Sequence, residues 1–202
     1  YGLAYSIGML VQLFISGMNS ALTPWMYSKI KKGDIRSMRK VLQLLGIVVV
    51  GIAVALMLIS PELVLIFGSP KYREAVYVIP PVAASVFFIF IYNILSMPQF
   101  YYEKTQFLMA ASMAAAGANV VLNFIFIRLF GYIAAGYTTL ACYMLYSVGH
   151  YIVSKRILVK EGIQENLMNP GFLVACAVFL IGASIICNLI FPYRILRYAI
   201  ML

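Results

Sequence analysis

Charge is what this sequence has least of. Of its 202 residues only 10% are Asp, Glu, Lys or Arg, whereas 64% are hydrophobic and the mean hydropathy is +0.96. A soluble domain carries about a quarter charged residues, so a surface of this composition must largely face lipid. Cysteine is scarce as well. Cys142, Cys176 and Cys187 lie in apolar runs, without CxxC spacing and without a His or carboxylate placed to complete a zinc site. They read as small packing hydrophobes. Catalytic signatures are missing: no GxSxG, no Cys/His pair with an orienting partner, no glycine-rich phosphate loop. No enzyme, cofactor or metal is expected from these residues.

The charge that is present is one-sided, with 15 Lys+Arg against 6 Asp+Glu and a formal net charge of +9. In a soluble protein that balance raises the question of nucleic acid. Here the basic residues fall between apolar segments, where positive charge marks the cytoplasmic side of a membrane, and no nucleic-acid partner is expected. A spanning helix needs roughly 20 mostly apolar residues. Six segments qualify, at about 3–27, 41–60, 76–97, 107–127, 133–153 and 171–191, with the start of a further helix at 196–202. The fold class is all-α: a polytopic transmembrane helix bundle, read as one lobe over 1–202. The chain opens inside an apolar segment without a basic n-region or cleavage site, so 1–27 reads as a span and not as a signal peptide. The whole reads as a fragment lacking its beginning and its last helix.

Alternate connections share a side. The set 28–40, 98–106 and 154–170 holds Lys29, Lys31, Lys32, Arg36, Arg39, Lys40, Lys104, Lys155, Arg156 and Lys160. The other set holds Lys71, Arg73, Arg128, Arg194 and Arg197. The richer set is placed in the cytoplasm. Pro24 lies within the first segment and is expected to kink it. Residues 63–67, too short to span, read as an interfacial or re-entrant turn.

Polar residues inside the spans are costly, so their placement is informative. Tyr5, Gln12, Ser16, Asn19 and Thr23 recur on one face of the first helix, and Ser85, Tyr92, Ser96 and Gln99 on one face of the third. Ser112, Asn119 and Asn123 align on the fourth, and Thr139, Tyr143, Tyr146 and His150 on the fifth. Segments 41–60 and 171–191 are nearly plain and are expected to face lipid. Such stripes either glue helices together or line a shared polar interior, and four of them running nearly full length make the second reading competitive. Their amides, hydroxyls and aromatic rings suit a sugar, with its edge hydroxyls and C–H faces. No acid lies in them. Arg128, at the outer end of the fourth helix, either meets a diphosphate through its planar fork or snorkels to lipid headgroups. His150 reads as a hydrogen-bonded interfacial residue before a proton relay.

Three stretches carry a family resemblance. The first runs from Tyr1-Gly-Leu-Ala-Tyr-Ser-Ile-Gly to Thr23-Pro24-Trp25-Met-Tyr27 and Lys32-Gly33-Asp34. The second is Phe67-Gly-Ser-Pro-Lys-Tyr72-Arg-Glu-Ala75. The third is Asn119-Val-Val-Leu-Asn123 followed by Gly131-Tyr-Ile-Ala-Ala-Gly-Tyr-Thr-Thr139. In order and spacing they resemble the C-terminal half of the polysaccharide (O-antigen type) flippases of the multidrug/oligosaccharidyl-lipid/polysaccharide exporter superfamily. Arg128 departs from the pattern by standing where that family commonly has proline.

The resemblance implies two pseudo-symmetric lobes around a central cavity in the bacterial cytoplasmic membrane. It also implies transport of a lipid-diphosphate-linked oligosaccharide on an undecaprenyl carrier, with membrane lipids and proteins of polysaccharide assembly as further partners. Gln12, Asn19, Tyr92, Asn123, Tyr143 and Tyr146 are the expected cavity residues, and Arg128 the expected phosphate contact. The rival expectations are a multidrug extrusion antiporter of the same superfamily and a membrane enzyme of polysaccharide assembly.

Overall fold

The structure, a computed structural model, describes residues 2–67 and 70–192. Its helices are α1 (Gly2–Lys31), α2 (Ile35–Leu58), α3 (Ser60–Phe67), α4 (Ile79–Tyr101), α5 (Gln106–Phe130), α6 (Ala134–Lys160) and α7 (Pro170–Ile190), with a 3-10 segment at Pro70–Tyr77. There are no strands among the described residues. The side chain of Tyr5 and the expected helix start at 196–202 lie outside them.

Helices run past the apolar segments that define them. The connection expected at 28–40 is a tight turn at 32–34, because α1 continues to Lys31 and α2 begins at Ile35. Gly33 takes the left-handed backbone that ends α1 (φ 67°). Asp34 caps α2 by accepting from the Ser37 amide, and its other oxygen accepts from Lys29 Nζ. Those partners, the lysine first, hold the Asp34 carboxyl below its ordinary value. The basic residues here therefore sit on helix ends that project beyond the apolar span. Likewise the 61–75 connection is not a single turn: α3 and the 3-10 segment fill most of it.

Pro80 and Pro81 open α4, where missing amide protons cost least, and Pro170 opens α7 behind the cap Asn169. At Pro24 the helix is unbroken, and the nearby Thr23 hydroxyl donates to the Asn19 carbonyl at 2.7 Å.

The hub is α4. Its first half, Ile79-Pro-Pro-Val-Ala-Ala-Ser-Val-Phe-Phe-Ile, is apolar apart from Ser85. All of its 23 residues except Tyr92, Asn93, Phe100 and Tyr101 are buried. Around it pack α6, α1, α2 and α7, while α5 packs chiefly on α6 and has no buried residue. The plain helices α2 and α7 touch α4 and each other along narrow stripes. On α2 the stripe is Met38, Leu42, Gly46, Val49 and Ala53, spaced by three or four, and Gly46 lies against the Phe172 ring of α7. Their other faces expose Leu44, Ile47, Val174 and Val178, which is affordable only in lipid. By length and composition α2, α4, α5 and α7 are apolar enough to cross a membrane. The two helices α1 and α6 are longer still, with 30 and 27 residues, and bear polar stripes.

Candidate functional site

The site grows out of the seam between α4 and α6. At the N-terminal ends of both helices the two backbones nearly touch: a Cβ on Gly136 would come within 2.8 Å of Pro81 Cγ and 3.2 Å of the Val78 carbonyl oxygen. Halfway along, Ser147 reaches across to the Phe88 carbonyl at 2.9 Å. One turn beyond Phe88, α4 presents Tyr92, one of its few unburied residues. The Tyr92 ring lies parallel to Tyr143, with centroids 6.2 Å apart, and tilted to Tyr146 at 4.7 Å. Bulky rings here, against glycine at the other end, spread the seam toward α5.

On the far side α5 turns small and polar residues to the gap. Ser112 Oγ donates to the Leu108 carbonyl, so it accepts the 2.8 Å bond from the Tyr146 hydroxyl. About three turns further along α5, Thr138 of α6 donates to Asn123 Oδ1 at 2.6 Å, and Asn123 Nδ2 donates to Asn119 Oδ1 at 2.9 Å. These two clasps join α5 to α6, and Ala115 and Ala116 between them leave the space unfilled. The result is an open-sided cleft of about 460 Å³, walled by Tyr92, by Ser112, Ala115 and Asn119, and by Thr139, Cys142, Tyr143 and Tyr146. Among the described residues no charged side chain lines it. Hydroxyls and an amide can bond hydroxyl-rich ligands at their edges, and the tyrosine faces can cover C–H surfaces.

The expected cavity residues separate in the structure. Tyr92, Tyr143 and Tyr146 come together in the cleft. Gln12 occupies a neighbouring gap of about 20 Å³ between α1 and α4, which shares Thr139 and Tyr143 with the cleft. Asn19 is buried on α1, its Oδ1 without a hydrogen-bond partner. Asn123 works in the α5–α6 clasp and is not part of the cleft wall. Arg128 lies over the Phe124 ring one turn earlier on α5, 3.9 Å from its centroid, and also outside the cleft. The α4 stripe mostly turns inward: Ser85 and Ser96 donate to carbonyls of their own helix, and Gln99 meets His150.

Ser112, Asn119 and Thr139, noted in the stripes but not among the expected cavity residues, do line the cleft, as do Ala115, Ala116 and Cys142. Their signal in the sequence is the spacing Ser112–Ala115/Ala116–Asn119, one small-or-polar face of a helix.

The MatE family model matches residues 1–125, which takes in α1 to α4 and most of α5. The α6 wall of the cleft follows the matched stretch. Neither the curated proteins nor the solved structures give a match. The match covers well over half of the chain, which therefore belongs to the MatE family and is a multi-pass membrane exporter of the multidrug/oligosaccharidyl-lipid/polysaccharide exporter superfamily.

Proposed function

We propose that this protein flips a lipid-diphosphate-linked oligosaccharide across the bacterial cytoplasmic membrane by alternating access, the cleft between α4, α5 and α6 holding part of the sugar headgroup while the lipid tail stays in the bilayer. The observation that carries the reading is the chemistry of the cleft wall: three tyrosine rings, hydroxyls of Ser112 and Thr139, the Asn119 amide, and no charge. A neutral wall of this kind suits sugar rings and leaves the diphosphate to charged groups outside the cleft, such as the basic helix ends. All six acids of the chain lie outside the long helices, at Asp34, Glu62, Glu74, Glu103, Glu161 and Glu165. A cation-coupled site at membrane depth ordinarily uses a carboxylate. The basic ends of α1, α2 and α6 are assigned to the cytoplasm.

The test uses full-length protein in proteoliposomes with a fluorescent lipid-linked oligosaccharide. Tyr92→Ala and Asn119→Ala should each cut flipping about tenfold, the scale of one lost stacking or hydrogen-bonding contact. Flipping at the wild-type rate by both variants sinks the assignment.

One observation favours a second reading, a multidrug extruder. An apolar groove of about 400 Å³ runs between α4, α6 and α7 past Phe87, Ile91, Met144 and Leu173, a lining suited to an apolar drug. Cation-driven dye efflux that is lost in Ile91→Trp, with oligosaccharide flipping absent, would favour it.

A further inference from the structure

His150 is the single histidine of the chain. It is fully buried on α6, one turn beyond Tyr146, and takes no part in the cleft wall. Its Nδ1 lies 2.8 Å from Nε2 of Gln99, a residue of α4 that is also fully buried. The same amide nitrogen lies 3.3 Å from the Leu95 carbonyl oxygen. A carbonyl can only accept, so that end of the amide is the –NH2 group. Nδ1 of His150 is then the acceptor, and the imidazole proton sits on Nε2.

Nε2 is buried without a hydrogen-bond partner. The side chains packed on the ring are aromatic: Tyr146 at 4.5 Å and 89°, Phe107 at 5.4 Å and 77°, and Tyr92 at 5.9 Å and 35°. A second ring proton on Nδ1 would face the amide donor of Gln99, so the neutral Nε2–H form is the one that fits. Gln99 thus fixes both the tautomer and the tilt of the ring. Two of the rings resting on it, Tyr92 and Tyr146, are cleft walls. The third, Phe107, belongs to α5 and also meets Gly149.

From this arrangement we propose that His150 is a positioning residue for transport: locked by Gln99, its imidazole backs Tyr92 and Tyr146 and sets the angle their faces present to the headgroup. The proposal rests on the sugar-binding reading of the cleft for its ligand, but the mechanical coupling of the three rings does not. Polar burial is costly here, since both Gln99 Oε1 and His150 Nε2 go unpartnered. Glue between α4 and α6 would be served as well by two apolar side chains. A fixed ring orientation would not.

The experiment uses the full-length protein with fluorotyrosine at positions 92 and 146, read by fluorine NMR, alongside flipping kinetics. His150→Phe keeps an aromatic ring but loses the Gln99 bond, Gln99→Leu loses it from the other side, and the double variant removes both buried polar groups and guards against loss of fold. In all three the Tyr92 and Tyr146 resonances should shift or split without ligand. KM for lipid-linked oligosaccharide should rise about tenfold with kcat nearly unchanged, and the double variant should be no worse than either single one. Unmoved resonances in His150→Phe and Gln99→Leu overturn the proposal whatever the substrate. So does a wild-type KM in His150→Phe while Tyr146→Ala raises it. If the resonances move but neither Tyr92→Ala nor Tyr146→Ala affects flipping, the positioning stands and the sugar reading of the cleft falls.

Discussion

Two seams of this molecule use the same residue types to opposite ends. Along α4–α6 the polar groups are buried, and most are satisfied locally or by backbone. Ser85 and Ser96 bond their own helix, and Ser147 bonds one carbonyl in each helix. Glycine at 136 brings the backbones together. Along α5–α6 the polar groups reach from side chain to side chain, Thr138 to Asn123 and Tyr146 to Ser112, and no residue of α5 is buried. The first seam holds the fold. The second holds a wall at a distance and leaves a cleft behind it. Serine, threonine and asparagine in these helices therefore line open space where they bridge a gap that packing has left, and otherwise serve the seam.

The sharpest way to break this comparison is volume. Gly136→Val drives methyl groups into Pro81 and the Val78 carbonyl and should cost about 1–3 kcal/mol, seen as a lower unfolding midpoint in detergent. Ala115→Val, on the cleft face of α5, should leave stability within about 0.5 kcal/mol and still slow transport by filling the cleft. If both variants lose stability alike, the two seams do not differ as described. Next in size is the clasp: Thr138→Val leaves Asn123 Oδ1 without its donor and should cost about 1 kcal/mol, with faster hydrogen exchange in the C-terminal half of α5 and not in α4.

Smaller effects sit at the two ends of the bundle. The Asp34 carboxyl is held below its ordinary value of 3.8, so the α1–α2 turn keeps its contribution above that pH and loses it as pH falls through the depressed value. Protection of the Ser37 amide relative to its intrinsic exchange, falling in acid and already low in Asp34→Ala at neutral pH, checks this. At the opposite end Tyr132 donates to Glu74 at 2.7 Å. Burial first, and then that bond, push its phenol up to about 12 from 10.0. The link between the 3-10 segment and the α5–α6 turn is whole below pH 10 and is lost as pH rises toward 12. Tyrosinate absorbance in wild type against Tyr132→Phe measures it, and a curve for Tyr132 centred at 10 would remove this link from the picture.

Some of the site was legible beforehand. The periodicity of Tyr143, Tyr146 and His150 placed them on one helix face, and Tyr92 belonged to a similar face on α4. The stripes could not separate a residue that lines a cleft from one that clasps or fills a seam. Asn19, Asn123 and Asn119 look alike in sequence, yet one is buried on α1, one is tied to Thr138, and one faces the cleft. Arg128 resembles a ligand group by position and instead stacks on Phe124.

What the sequence alone determined is the class of solvent and the class of fold. Sixty-four per cent hydrophobic residues with ten per cent charge require lipid, and lipid requires that each backbone satisfy itself in helices. Which helix sits at the centre was decided by tertiary packing. Composition alone makes α4 and α5 comparable, with mean hydropathies of 1.8 and 1.7, and only the close approach at Gly136 and the clasps at Asn123 and Ser112 put α4 inside and α5 at the edge. Helix periodicity states which side chains share a face, while the neighbour that face meets depends on contacts between residues far apart in the chain.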